Sequence, residues 1–547
     1  MYGVVLTDMQ DVTEEFVSHF KTLLGGNKNS RVIDLSFLSS EIKHRITTEE
    51  AECISAPVTW SEIKDALFDI AEDSAPGPDG YTSAFFKASW SVVGHDISNA
   101  VGEFFRTGKL LKQINATILA LIPKVQLPSY VTDYRPISCC NVIYKTIAKI
   151  IVKRMQLVLH LLIDYSQNDF VPGRNISDNI LLAQELLAGY NQARLPPRST
   201  IKVDIQKAYD SVEWDFLIEV LKLFNFPARF IGWIEQCVTT ASFSISLNGS
   251  IYGYFPGARG LRQGDPMSLY LFVLAHIPSI HVIKDTLTEF ANMFGLKVNA
   301  SKSQIIISKS GQHEKQQILN LLGFQEGSLP VKYLEVPLIS SRLTLADCSP
   351  LINKVDSRLS GWSHLNLSFA GRALLIKSVL STLHNYWASV FILPKGIIKI
   401  LEAKMRKFLC QGSTGKGYAK VAWELICKPK EEGGLGFRSI ETINQALMLK
   451  HLWRLVKNDG SSIWVDWIIH FRLKKSSLWT FDSKAGSWGW KKMFKLRYLL
   501  KNALHYKVGN GNTFAYSFMQ QDVYFVMDFL KKLMTTCSSI VDTLDDA

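Results

Sequence analysis

Residues 203–214 read VDIQKAYDSVEW (Val203–Trp214). With the residues before them, Thr200–Ile205 (TIKVDI) has the β-branched alternation of a strand. Asp204 then lies near the C-terminal end of that strand, where a carboxylate can face a shared cleft. On spacing alone it is as much a solvated strand end as a metal ligand. Asp210, six residues on, has Glu213 three residues after it and reads as the N-cap of a helix in a capping-box arrangement. That helix, Ser211–Phe224, carries Trp214, Leu217, Ile218 and Leu221 at i, i+3, i+4 and i+7.

Downstream, Ala258–Pro266 (ARGLRQGDP) sets two glycines and two arginines together. Such a backbone can approach a base or phosphate closely, with charge to hold it. Ser242–Phe255 reads as two short strands around Asn248-Gly249. Upstream, Asp8–Leu24 has helical spacing and stops at Gly25-Gly26-Asn27. Asn141–Leu162 is a helix with Ile147, Ile150, Ile151 and Val158 on one face and Lys145, Lys149, Lys153 and Arg154 among them. From Ser349 the chain turns mainly helical, with Leu375, Val379, Leu383, Tyr386 and Val390 as one stripe. Past Trp453 it is rich in Trp and Lys, and its periodicity is poor.

The 547 residues are 47% hydrophobic, which excludes a collagen-like, low-complexity or wholly disordered chain. Lys and Arg number 61 against 49 Asp and Glu, a formal charge of +12, so a polyanion is the first partner to consider. The eight Cys include no C-x-x-C pair, which leaves a zinc ribbon or knuckle unsupported and fits a reducing compartment. Residues 1–21 lack the continuous apolar core of a secretory signal. Neither Gln236–Ala258 nor Pro266–Ile283 resembles a transmembrane span. An intracellular protein, nuclear or cytoplasmic, is expected.

Several stretches, in order, carry a resemblance. They are APGPDG (Ala75–Gly80), LIPK (Leu121–Lys124), YRPIS (Tyr134–Ser138), QNDFVPGR (Gln167–Arg174), VDIQKAYDSVEW, GLRQGDPMS (Gly260–Ser268), GLKVNASKS (Gly295–Ser303), KYLEVPL (Lys332–Leu338) and KPKEEGGLGF (Lys428–Phe437). Together they resemble the reverse transcriptase of a plant LINE-type (non-LTR) retrotransposon, from about residue 10 to 512.

The resemblance implies an α+β right-hand polymerase of fingers, palm and thumb. It divides the chain into a helical lead-in (1–50), fingers and palm (51–345), a helical thumb-like region (346–460) and a basic, Trp-rich C-terminal segment (461–547). It implies an RNA template, a DNA primer and deoxynucleoside triphosphates as partners, and Mg²⁺ as cofactor. Two divalent ions held ~3.5–4 Å apart clamp the attacking and leaving oxygens in such enzymes. Asp204 matches the first metal ligand, with the Ile205 backbone carbonyl beside it. Tyr209 matches the bulky residue that excludes a ribose 2′-OH. Gln263 and Gly264 match the element that packs on template base and incoming nucleotide. Lys124 and Arg135 lie in finger-like segments, placed to meet the triphosphate, and Lys302 matches a proton donor to pyrophosphate.

One piece of the pattern is missing. The second catalytic carboxylate pair belongs in a Phe/Tyr-Ala-Asp-Asp hairpin between GLRQGDP and GLKVN. The chain's one Asp-Asp is Asp545-Asp546, at the C-terminus. Leu269–Ala275 (LYLFVLA) instead runs straight into His276–Ile280 (HIPSI). An internal deletion near 275–276, with an incomplete palm sheet and a catalytically defective polymerase, is therefore expected. The alternative is a non-catalytic RNA-binding remnant or an unstable pseudogene product. Glu335 also departs, standing where relatives have Gly in YLGVPL. By the same resemblance the chain starts at the linker behind an endonuclease domain and lacks a C-terminal cysteine/histidine module.

Basic residues recur in three places: the Asn141–Leu162 helix, then Lys416, Lys420, Lys428 and Lys430, then a third set. In that set Lys474, Lys475, Lys491, Lys492, Lys495 and Arg497 interleave with Trp479, Trp488, Trp490 and Phe494. Each reads either as a nucleic-acid contact or as a solvated face with aromatic anchors.

Overall fold

The computed structural model of the protein describes residues 6–26, 39, 42, 44–192, 194–204, 207–282, 299, 302–362, 365–411, 421–458, 460, 462–474, 476–481, 486–508 and 514–518. Nine strands matter below. They are β1 (Ala116–Pro123), β2 (Tyr134–Cys140), β3 (Ser199–Lys202), β4 (Ser242–Leu247), β5 (Ser250–Pro256), β6 (Gln304–Ile307), β7 (Gln325–Glu326), β8 (Val331–Tyr333) and β9 (Val336–Leu338). The chain divides into two units. Among the described residues, one holds those of 1–172 and 203–303 and the other those of 173–202 and from 304 onward.

The first unit is built on a four-stranded sheet, β2-β1-β4-β5. β1 runs antiparallel to β2 and parallel to β4, and β4 turns back into β5. The turn is the expected one: Asn248 (φ 51°) and Gly249 (φ 83°) both take the left-handed region, which matches the twist of the flanking strands. Helix Met9–Leu24 opens at Asp8, whose carboxylate accepts from the Gln10 N–H at 2.8 Å, and closes at Gly25. Its buried Phe16, Phe20 and Leu24 cluster with Phe243 and Phe255 of the sheet.

A larger core forms around helix Val142–Leu162, whose Ile147, Ile150, Ile151 and Met155 are fully buried. The basic residues of this helix are not a free face, contrary to one of their two readings. Lys145 is buried and donates to Ser74 Oγ (2.8 Å) and Ala75 O (2.9 Å). Lys149 pairs with Asp69 at 2.9 Å, and Lys153 approaches the same carboxylate at 3.7 Å. Buried Arg154 makes a two-pronged pair with Glu62 (2.7 and 2.8 Å) and donates to Ala56 O at 2.6 Å.

The helix after the opening motif spans Trp214–Leu223, and its N-cap is Glu213 without a side-chain bond. Asp210 is therefore not the cap. The N–H groups of Gly260 and Leu261 donate to Val212 O (2.8 Å) and Tyr209 O (2.7 Å), which holds residues 209–212 against the GLRQGD loop and delays the helix. Further on, helix Ser268–Val282 runs unbroken across Ala275-His276.

The second unit contains the three-stranded sheet β3-β6-β7, with β3 antiparallel to β6 (Thr200↔Ile306) and β6 parallel to β7. Among the described residues β3 is an edge. β8 and β9 form a hairpin whose turn residues Leu334 (φ 47°) and Glu335 (φ 64°) are both left-handed. The stripe expected over 375–390 is shifted. A π-helical turn at Ile376–Leu380 adds a residue to the local repeat, and Ile376, Leu380, Trp387 and Val390 are the buried set. Leu375, Leu383 and Tyr386 only flank that core.

The C-terminal part has its own core of Met448, Leu452, Trp464, Trp490, Met493 and Phe494. Two buried carboxylates of helix Ile176–Leu186 tie to it. Asp178 accepts from Arg454 (2.6 and 2.7 Å) and Ser462 Oγ (2.6 Å), and Glu185 pairs with Arg472 at 2.9 Å. No described helix is long and apolar enough to cross a membrane.

Candidate nucleotide and nucleic-acid site

The site lies in the first unit, where the GLRQGDP loop meets β2. The Ser138 N–H donates to the Gln263 carbonyl at 2.7 Å. Gly264 has φ 99°, and a Cβ there would stand 3.1 Å from Ser138 O, so both conformation and space call for glycine. The Gln263 amide reaches back to Asp210 Oδ1 at 3.4 Å. A small cavity here is lined by Pro136, Ser138, Asp210, Gly260 and Gln263.

The two arginines of the loop do a different job from the one their spacing suggested. Arg262 is buried, donates to Asn115 Oδ1 (2.8 Å) and Cys237 O (3.1 Å), and pairs with Asp265 at 3.1 Å. The Tyr144 hydroxyl donates to the same Asp265 at 2.6 Å, and the guanidinium lies 4.0 Å from the centre of the Tyr144 ring. Arg259 donates to Leu23 O at 2.9 Å, at the end of the first helix. Both charges hold the loop in place, and the half-buried Gln263 is turned to Asp210.

Positive charge arrives from other motifs. The β1–β2 register sets Arg135 opposite Ile122, two residues before Lys124. The Lys124 ammonium donates to Thr132 O at 2.8 Å. Lys302 sits in a turn fastened to Asp204: the Asn299 N–H donates to Asp204 O at 2.7 Å, and the Asp204 N–H donates to Ser303 Oγ at 3.0 Å. Partial burial pushes the Lys124 ammonium pKa down; Arg135, Lys207 and Lys302 push the same way, and Asp210 opposes them. Burial raises the Asp210 carboxyl, against the pull of the Gln263 bond and of Lys207 and Lys124. Lys124 thus feels Arg135, Lys207 and Lys302, while Asp210 feels Lys207 and Lys124.

Of the residues singled out in the sequence, Lys124, Arg135, Lys302, Gln263 and Gly264 are placed by these contacts. Tyr209 stacks on Phe272, ring centres 4.6 Å apart and 25° between planes. Ile205 lies outside the described residues, as do Lys416, Lys420, Lys475 and the Asp545-Asp546 pair. Two members were missed as site residues. Asp210 passed for a helix cap, and Lys207, inside the opening motif with φ 45°, carried no signal of its own.

Among the described residues the donor set does not fit a pair of divalent ions. Hard cations want several oxygen ligands, and Asp204 is a single carboxylate. Among the described residues no group of three or more His, Cys, Asp or Glu could hold a metal ion.

Residues 122–285 match the family profile described as Reverse transcriptase (RNA-dependent DNA polymerase). The chain contains a reverse transcriptase domain of the non-LTR retrotransposon kind. The described helices and small sheets are of the mixed α+β class, as expected. The chain is 25% identical over 473 residues to a Transposon TX1 149 kDa protein of Xenopus laevis, covering 77% of this chain and 35% of that protein. It is 22% identical over 446 residues to the Pol polyprotein of the type-2 retrotransposable element R2DM of Drosophila melanogaster, covering 73% and 41%. It is also 30% identical over 135 residues to an uncharacterized mitochondrial protein of Arabidopsis thaliana, covering 23% of this chain and 83% of that protein. The chain thus spans well under half the length of the two transposon proteins. Among solved structures, apo telomerase from Candida tropicalis aligns over 85% of this chain and 99% of its own, at 12% identity and a TM-score of 0.32. Nothing further rests on a likeness of that size.

Proposed function

We propose that the reverse transcriptase domain keeps the surface for an RNA template, a DNA primer and a deoxynucleoside triphosphate, but lacks the carboxylates to extend the primer. The bonds that set Gln263 on Asp210 and fasten the Lys302 turn to Asp204, with the β1–β2 register that sets Arg135 opposite Ile122, two residues before Lys124, carry this reading. Cations that separate motifs contribute around this loop complement a triphosphate, and guanidinium adds a two-pronged donor.

In this reading Lys124 and Arg135 hold the phosphates, and Gln263 and Gly264 pack on template base and incoming nucleotide. Tyr209, backed by Phe272, faces the 2′ position of the sugar. Asp204 and Lys302 stand where an active relative, of plant LINE type, has a metal ligand and a proton donor; here Lys302 contributes charge. Three observations support the loss of extension: the sequence has no Asp-Asp between the loop and residue 299, helix Ser268–Val282 is continuous across the expected join, and β3 pairs directly with β6.

The test uses the full chain. A fluorescent deoxynucleoside triphosphate should bind saturably in EDTA, and Lys124→Ala with Arg135→Ala should weaken it about tenfold or more, the size of one to two charge-assisted bonds. Primer extension with Mg²⁺ should give no product. Incorporation that Asp204→Asn abolishes would overturn the defect. RNA binding with no saturable nucleotide binding would favour the RNA-binding remnant instead.

A further inference from the structure

Helix Trp488–Lys495 is divided lengthwise. Trp490, Met493 and Phe494 enter the C-terminal core with Trp464 and Leu452. Trp488, Lys491, Lys492 and Lys495, at i, i+3, i+4 and i+7, make the opposite face, and its three lysines are exposed. The Trp488 ring has cations on it from two elements: Lys492 at 5.7 Å and Arg342, exposed in the loop after β9, at 5.9 Å. The next helix, Arg497–Ala503, continues the surface. Arg497 lies over the rings of Phe494 (3.9 Å) and Tyr498 (4.7 Å), and Tyr498 is 60% exposed.

Residues 488–503 hold Lys491, Lys492, Lys495, Arg497 and Lys501 and no carboxylate. Glu185 reaches the start of this stretch through the Ser487 N–H at 3.3 Å, but it is buried and paired with Arg472. Among the described residues no ion pair reaches any of the five cations.

We infer that this face is a second nucleic-acid site, separate from the nucleotide site, that holds a single strand of RNA. The unpaired cations fit a phosphate backbone, and released counterions supply the binding free energy. Exposed Tyr498, with half-buried Trp488 as a second ring on the face, offers a stacking surface that unpaired bases can use and a duplex cannot. The choice of RNA among polyanions rests on the reverse transcriptase reading above; the charge argument does not.

The test is fluorescence anisotropy of a labelled 20-nucleotide uridine oligomer on the full chain, in EDTA and without nucleotide, across a salt series. Because no metal ion or nucleotide is present, its outcome is independent of the primer-extension and nucleotide-binding results. Single-strand contacts contribute a slope of roughly −0.7 each in log affinity against log salt. Lys491→Ala/Lys492→Ala/Lys495→Ala should therefore lower the slope by about 2, with at least tenfold weaker binding at moderate salt. Tyr498→Ala should weaken binding several-fold with the slope unchanged. Trp488→Ala should likewise weaken binding at unchanged slope, and Trp488→Phe, which keeps a ring, should restore most of the affinity. Wild-type affinity and slope in a folded triple variant would overturn the site. Equal losses on a 20-base-pair DNA duplex would overturn its assignment to single strands.

Discussion

Helices Val142–Leu162 and Trp488–Lys495 look alike as sequence and end up as opposites. Each carries closely spaced cations and no acid of its own. In the first, Lys145, Lys149 and Arg154 turn to partners about 70 to 90 positions away, Glu62, Asp69, Ser74 Oγ and the Ala75 carbonyl, while Lys153 stays exposed 3.7 Å from Asp69. In the second, the lysines face solvent and find no acid among the described residues. The lesson is that a basic run is decided by what the fold brings to it. Lysine stems and arginine planes serve as well for tying a helix to a loop as for meeting phosphate.

The largest effect expected from this difference is at Arg154. Arg154→Ala leaves the Glu62 carboxylate and the Ile54 and Ala56 carbonyls without their donor. Removing one member of a fully buried pair costs about 3–5 kcal/mol, and with Glu62 half-buried about 2–4 kcal/mol is expected here. A denaturant melt should show that loss, while the folded fraction binds RNA as the wild type does. A fall in RNA affinity at unchanged stability would place Arg154 with the C-terminal lysines and break the comparison. The triple lysine variant is the mirror image: its melt should stay within about 0.5 kcal/mol of wild type, as for ordinary surface changes.

Lys145→Met sharpens the same contrast at smaller scale. The ammonium anchors the APGPDG loop through Ser74 and Ala75. Methionine keeps much of the stem and removes the donor; the Ser74 hydroxyl is half-buried and the Ala75 residue exposed, so water replaces part of the loss and about 1 kcal/mol is expected, the net size of a hydrogen bond. Hydrogen exchange should locate the loosening at residues 74–80. Exchange unchanged there would show that the loop holds by itself.

Much of the architecture was legible because local chemistry fixed it. Asp8 and Gly25 bound the first helix, and Asn248-Gly249 dictated a two-residue hairpin turn. The π turn at Ile376–Leu380 was not legible, since periodicity presumes a uniform repeat. In the site, motif order pointed to Lys124, Arg135, Gln263, Gly264 and Lys302, which the contacts then placed. What escaped was the use of each charge. Arg262 is consumed by its near neighbour Asp265 together with Asn115 and Tyr144, and Asp210 answers Gln263; apart from Asp265, these partners lie far along the chain, where no local window reaches them.

Glu335 gives the smallest effect and the finest test of how context settles a charge. It forms an exposed pair with Lys332 at 2.9 Å, and such pairs contribute about 0–1 kcal/mol. Its backbone, at φ 64° beside Leu334 at φ 47°, sits where glycine costs nothing and a glutamate is strained. The backbone term opposes the ion pair. Glycine also loses more freedom on folding than glutamate, which trims the gain. Glu335→Gly should still stabilise the hairpin, by about 0.5 kcal/mol. The shift should vanish in Glu335→Gln, which keeps the strain and removes the charge. If Glu335→Gln were instead as destabilising as removal of a buried pair, the carboxylate would be answering a partner other than Lys332. The rule drawn from the two helices, that distant neighbours decide the use of a charge, would then reach even this exposed turn.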